Sequence, residues 1–112
     1  MSKLESIVPP LDLCEKIPEG EFEDSALVWE KSEKYFQATE IIDYEYKVVA
    51  RDESKGGFPA PTLEEVFDAL EDIGALFCKN WIRIGNQFYE YLTIAEEALQ
   101  LWFKVKGVKI EI

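Results

Sequence analysis

The chain has no histidine and one methionine among 112 residues, and its two cysteines, Cys14 and Cys78, form no CxxC. Without histidine it lacks the side chain best suited to proton transfer near neutral pH and the commonest zinc ligand. The separated cysteines read most simply as two buried thiols of an intracellular chain, with a disulfide between them the alternative in an oxidising setting. No apolar run approaches the ~20 residues of a membrane span. The opening "MSKLESIVPP" has no apolar core of a signal peptide. The expectation is a cytoplasmic protein without cofactor or metal, forming one domain over residues 1–112. A chain of this length can bury a core unaided, with little margin.

Positive charge is also scarce where negative charge is dense. Residues 1–74 hold 19 acidic and 7 basic side chains, a net of −12, while residues 75–112 hold 4 and 5, a net of +1. A field of that sign repels phosphates and anionic lipid. Direct nucleic-acid or membrane binding is therefore not expected, and a protein with a basic surface is the favoured partner. The competing explanation is solubility alone.

Residues 1–24 read as irregular, broken by Pro9, Pro10, Pro18 and Gly20, with a single helical turn in "LDLCEKI". "EGEFED" follows as an acidic loop carrying Glu19, Glu21, Glu23 and Asp24. Its spacing does not match an EF-hand. Three strands are expected at 25–31, 34–42 and 44–52, with Ser32-Glu33 as a turn. The last alternates Tyr44, Tyr46, Val48 and Ala50 against Glu45, Lys47 and Arg51. "ESKGGFPAP" reads as a loop; Lys55-Gly56-Gly57 lacks the P-loop pattern, and the prolines block helix entry after the glycines.

"TLEE" at Thr62 to Glu65 is a capping box, and Leu63, Val66, Phe67, Leu70 and Ile73 form a helical stripe closed by Gly74. Gly85-Asn86 between "WIRI" and "QFYEY" predicts a hairpin. "TIAE" at Thr93 to Glu96 is a second expected capping box. It opens a helix whose apolar face holds Ile94, Ala95, Ala98, Leu99, Leu101, Trp102 and Val105, ended by Gly107. "VKIEI" reads as a last strand, at a sheet edge where Val108, Ile110 and Ile112 would pair with a second copy or with a partner strand. The order βββ-α-ββ-α-β predicts an α+β fold, an antiparallel sheet with two amphipathic helices on one face.

"VPPLDLCEKIPEGEFEDSALVW", "FPAPTLEEVFDAL" and "AEEALQLWFKVKG" together resemble a group of short proteins encoded in bacteriophages and prophages of gut bacteria. The match is best over Val8 to Trp29, Phe58 to Leu70 and Glu96 to Gly107. Members of that group are mostly uncharacterised, so no catalytic residue carries over. The resemblance implies an accessory phage protein of the kind that binds and inhibits host proteins, nucleases and other defence factors among them.

The helix from Thr62 to Gly74 has one unusual property: every charged residue in it is acidic. Glu64–Asp68 and Asp68–Asp72 are like-charged i,i+4 pairs, each costing a few tenths of a kcal/mol (about 0.2–0.5). Glu71 and Asp72 also sit at the unfavourable end of the helix dipole. Local stability thus disfavours the arrangement, weakly, against a background in which exposed charge is nearly free. The contact candidates for a basic partner are Glu64, Glu65, Asp68, Glu71 and Asp72 on the helix and Glu19, Glu21, Glu23 and Asp24 on the loop. The expectation is a non-enzymatic protein-binding module, an anti-defence inhibitor or nucleic-acid mimic in its sharpest form. A structural protein self-associating through its C-terminal edge is the alternative. A carboxylate enzyme ranks last, and a fold without a concave polar pocket would remove it.

Overall fold

The computed structural model describes residues 3–36, 41–54 and 56–107. The fold is α+β, with antiparallel strands throughout. The strands form two three-stranded sheets, where a single sheet was expected. The first comprises β1 (Leu27–Phe36), β2 (Ile41–Ala50) and β3 (Phe58–Pro59) in the order β2-β1-β3. The second comprises β4 (Ala75–Phe77), β5 (Trp81–Ile84) and β6 (Gln87–Glu90) in sequence order. The helices are α1 (Leu11–Cys14), α2 (Leu63–Asp72) and α3 (Ala95–Lys106), with 3-10 turns at Lys3–Ile7 and Arg51–Glu53.

Two long strands replace the three expected between residues 25 and 52. The backbone continues extended through Ser32-Glu33, and Ile41 and Ile42 belong to β2. Polar composition alone does not turn a chain when the facing strand complements it. Glu30 lies opposite Lys47, the opposite-charge arrangement that favours cross-strand pairing. β1 and β2 pair along ten residues, whereas β3 covers only Val28 and Trp29. The molecule is elongated, 60 × 26 × 24 Å.

β3 lies within the expected loop. Gly57 makes it possible, because a Cβ there would collide with the Trp29 carbonyl. Close backbone approach of this kind is a use of glycine that turn statistics do not reveal.

The main core gathers Leu13 of α1, Val66 and Leu70 of α2, Ala75 and Ile82 of the second sheet, and Ala98, Leu99, Leu101, Trp102 and Phe103 of α3. Each large side chain removed from water here contributes about 1.5–3 kcal/mol. A second cluster, Val8, Cys14, Val48 and Ala60, fastens the N-terminal segment to the first sheet, with Ile17 touching both cores. The Trp29 indole N–H donates to the Pro9 carbonyl at 3.0 Å, holding the same segment.

The two expected capping boxes diverge. Thr62 and Glu65 form theirs, with Glu65 N–H donating to Thr62 Oγ1 at 3.3 Å and Thr62 N–H to Glu65 Oε1 at 2.8 Å. Thr93 forms none. The cap of α3 is Ile94, extended at φ −127°, ψ 147°, with no side-chain cap bond. The helix begins one residue later than "TIAE" implies, and the β-branched Ile94 fits the extended conformation. Ile94 is exposed rather than part of the apolar face, while Phe103, absent from that expected face, is fully buried. Glu96 and Glu97 in the first turn, and Lys104 and Lys106 in the last, suit the helix dipole. Gly107, at φ +77°, closes α3 in the left-handed conformation.

Gly85-Asn86 makes the expected hairpin turn between Ile84 and Gln87, with Gly85 at φ +60°. A positive φ at only the first central residue matches the type II′ preference for glycine there. The expected strand "VKIEI", with its pairing residues Val108, Ile110 and Ile112, lies outside the described residues. No described helix is long and apolar enough to cross a membrane.

Candidate functional site, an acidic cleft between a loop and a helix

Four residues of α2 share one face at helical spacing: Glu65, Asp68, Ala69 and Asp72. That face meets the acidic loop. Gly20, Phe22, Glu23, Asp24 and Ser25 form the opposite wall of a cavity of about 440 Å³. Two acidic segments some forty residues apart in sequence thus line a single cleft. Glu23, Asp24, Asp68 and Asp72 are all exposed.

The loop wall is held by specific contacts. Phe22 adopts φ +57°, the only positive φ among the described non-glycine residues. A bulky residue in this conformation is strained and persists only where its surroundings enforce it. Its ring meets Trp102 edge-on at 4.9 Å, which anchors the loop to α3. Its carbonyl accepts the Ser25 N–H at 3.1 Å and an Arg51 guanidinium N–H at 3.3 Å. Arg51 also donates through Nε to the Ser25 carbonyl. A cation from the end of the first sheet therefore braces the acidic loop from behind.

Glu65 has a different role from its neighbours. Its carboxylate is half-buried and accepts from Thr62 N–H, from the Ser25 hydroxyl at 3.1 Å and from Ala26 N–H at 2.9 Å. It fixes one wall of the cleft to the other. Asp68, Asp72, Glu23 and Asp24 carry the charge that faces solvent.

The remaining candidates lie elsewhere. Glu64 and Glu71 are exposed on α2 but do not line the cleft. Glu19 and Glu21 border a second cavity of about 340 Å³ together with Glu23 and Arg51. Glu21 also approaches Lys106 Nζ at 3.9 Å, an exposed pair of small energetic weight. Among the described residues, no three Cys, Asp or Glu side chains are grouped to hold a metal ion.

The cleft is concave and polar, so the condition that would remove a carboxylate enzyme is not met. Its acidic groups are nevertheless open to water, whereas preorganised electrostatic catalysis draws its strength from a water-excluded site. The arrangement is better suited to receiving cationic side chains. Sequence reasoning found both acidic segments but not their convergence, nor the parts of Phe22, Ser25 and Arg51 in shaping the cleft. The one available signal was the serine directly after the acidic run, where a buried hydroxyl needs a partner.

Comparison with protein families, curated proteins and solved structures finds no match.

Proposed function

We propose that the chain is a non-enzymatic binding module that docks a lysine- or arginine-rich surface of another protein into the cleft between the acidic loop and α2. The observation that carries this reading is the convergence of Glu23 and Asp24 with Asp68 and Asp72 on one cavity. Carboxylates on two facing walls can engage a cation from both sides, and the −12 excess over residues 1–74 steers a basic partner toward them. The resemblance to phage-encoded accessory proteins supports a bacterial host protein as the partner, met in the host cytoplasm, with inhibition of a defence nuclease as the sharpest version.

The test is a tagged capture from bacterial lysate at low and high salt, run beside the variants Asp68→Lys/Asp72→Lys and Glu64→Lys/Glu71→Lys. A basic protein retained at low salt, released at high salt, lost with the first variant and kept with the second supports the cleft. Equal retention by wild type and the Asp68→Lys/Asp72→Lys variant overturns it.

A further inference from the structure

The outer face of the second sheet exposes three large apolar side chains. Leu76 is 58% exposed, Trp81 39% and Phe88 63%. Their strand partners Ala75, Phe77, Ile82 and Tyr89 point the other way and are buried or half-buried. Together Leu76, Trp81 and Phe88 leave on the order of 350 Å² to solvent, within the range of the largest apolar patch on a monomer, which is often functional. This face lies in the part of the chain that carries no excess negative charge, residues 75–112.

The pairing register fixes its pattern. Arg83 lies opposite Phe88, and Trp81 opposite Glu90. All four project outward, so they mark the corners of a rectangle with the aromatics on one diagonal and the charges on the other. Its sides are about 4.8 Å across the strands and about 6.7 Å along them. The Trp81 and Phe88 rings meet edge-on at 5.0 Å across the first diagonal. Arg83 Nε donates to the Gly85 carbonyl at 3.0 Å, and its guanidinium lies 6.0 Å from the Phe88 ring centre, so the cation is ordered in advance. Glu90 has no ion pair among the described residues.

We infer that this face binds a second copy of the chain in a two-fold symmetric dimer. A symmetric interface must complement itself, and this rectangle does. A two-fold axis in the interface, along the Trp81–Phe88 diagonal, sets each aromatic against its own equivalent. The same operation exchanges the other diagonal, bringing Arg83 of each copy to Glu90 of the second copy. Two ion pairs then flank an apolar centre. The sheet face is small against the ~800 Å² per partner of a standard interface, which places the dimer in the weak, transient class. This surface is separate from the acidic cleft, and either reading can fail without the other.

The experiment is sedimentation velocity of the full chain from about 5 µM to 1 mM at about 0.15 M salt, where the Debye length is about 8 Å and the net charges of the two copies are largely screened. Wild type shifts from monomer toward dimer across this range. Arg83→Glu and Glu90→Arg each weaken the dimer about tenfold or more. Mixing the two variants restores a heterodimer, because both contacts are again between opposite charges. Phe88→Ser weakens association without depending on charge, and circular dichroism establishes that each variant is folded. A monomer at every concentration overturns the inference. So does a dimer that the folded Arg83→Glu and Phe88→Ser variants leave unchanged.

Discussion

Glu65 accepts the backbone N–H of Ala26 at 2.9 Å across 39 residues of chain, while its other oxygen caps its own helix. One carboxylate therefore joins the start of β1 to the start of α2. Removing a half-buried acceptor breaks three hydrogen bonds and leaves the part-buried Ser25 and Thr62 donors without a partner, and hydrogen bonds to charged groups contribute more than neutral ones. Glu65→Ala is expected to lower the free energy of unfolding in urea by about 3 kcal/mol. Glu65→Gln is expected to lose about half as much, because its amide retains one acceptor but offers N–H to donors on the other side.

Asp72 separates stability from binding. It ends α2, where the helix dipole disfavours an anion, and it lies four residues after Asp68. Asp72→Lys removes one like-charge pair, creates a favourable acidic-then-basic pair and reverses the dipole term. Thermal unfolding should show a gain of about 0.5–1 kcal/mol. The same substitution places a cation in the cleft, so capture of a basic partner should fall. A variant that is more stable yet inactive in capture would show that the acidic end of α2 is retained for contact and not for folding.

The two threonines offer an internal control for capping. Thr62→Ala removes the acceptor for Glu65 N–H and is expected to destabilise by about 1 kcal/mol. Thr93→Ala, outside α3 and without a capping bond, is expected to change stability by less than ~0.5 kcal/mol. Chemical denaturation of both variants checks the pair. Equal effects would place the true start of α3 at Thr93.

The elements whose cause is local were legible in the sequence. The helical stripe of α2, the Thr62 cap, the Gly85-Asn86 turn and the helix-ending Gly107 each depend on residues within one turn of one another. What escaped depends on distant partners. Ser32-Glu33 reads as a turn until the facing residues of β2 are known, since extended pairing outweighs local polarity. "TIAE" and "TLEE" have equivalent cap chemistry, yet only the second is used. Its Glu65 is also bound by Ser25 and Ala26, a tertiary reason to keep that geometry which Glu96 lacks among the described residues. The acidic residues were visible from composition, but their division into cleft-lining, bracing and outlying groups required the fold. The exposure of Trp81 and Phe88 was equally hidden. Strand alternation gives two faces but not which one the helices cover, and an aromatic pair reads as core by default.

Cys14 makes the N-terminal attachment sensitive to alkaline pH. Its thiol is fully buried beside Val8, Val48 and Ala60 and donates weakly to the Pro9 carbonyl at 3.5 Å. Burial, which disfavours the thiolate, pushes its pKa up from 9.0 to about 12; hydrogen bonding with Trp29 opposes the shift, and the charges of Asp12 and Glu15 add to it. In the unfolded chain the thiol loses its proton near its ordinary value, while the folded protein retains it. Between these two values the folded state binds more protons, so stability falls as pH rises. The contribution is complete below about pH 9 and declines progressively toward pH 12. Thermal melts between pH 8 and pH 11, set by this window, should fall more steeply for wild type than for Cys14→Ala. In the same range a thiol reagent should modify the half-buried Cys78 first and Cys14 only on unfolding. Modification of Cys14 as fast as Cys78 in the folded protein would mean that the segment over the first sheet opens readily, and the pH dependence of the melts should then be the same in both proteins.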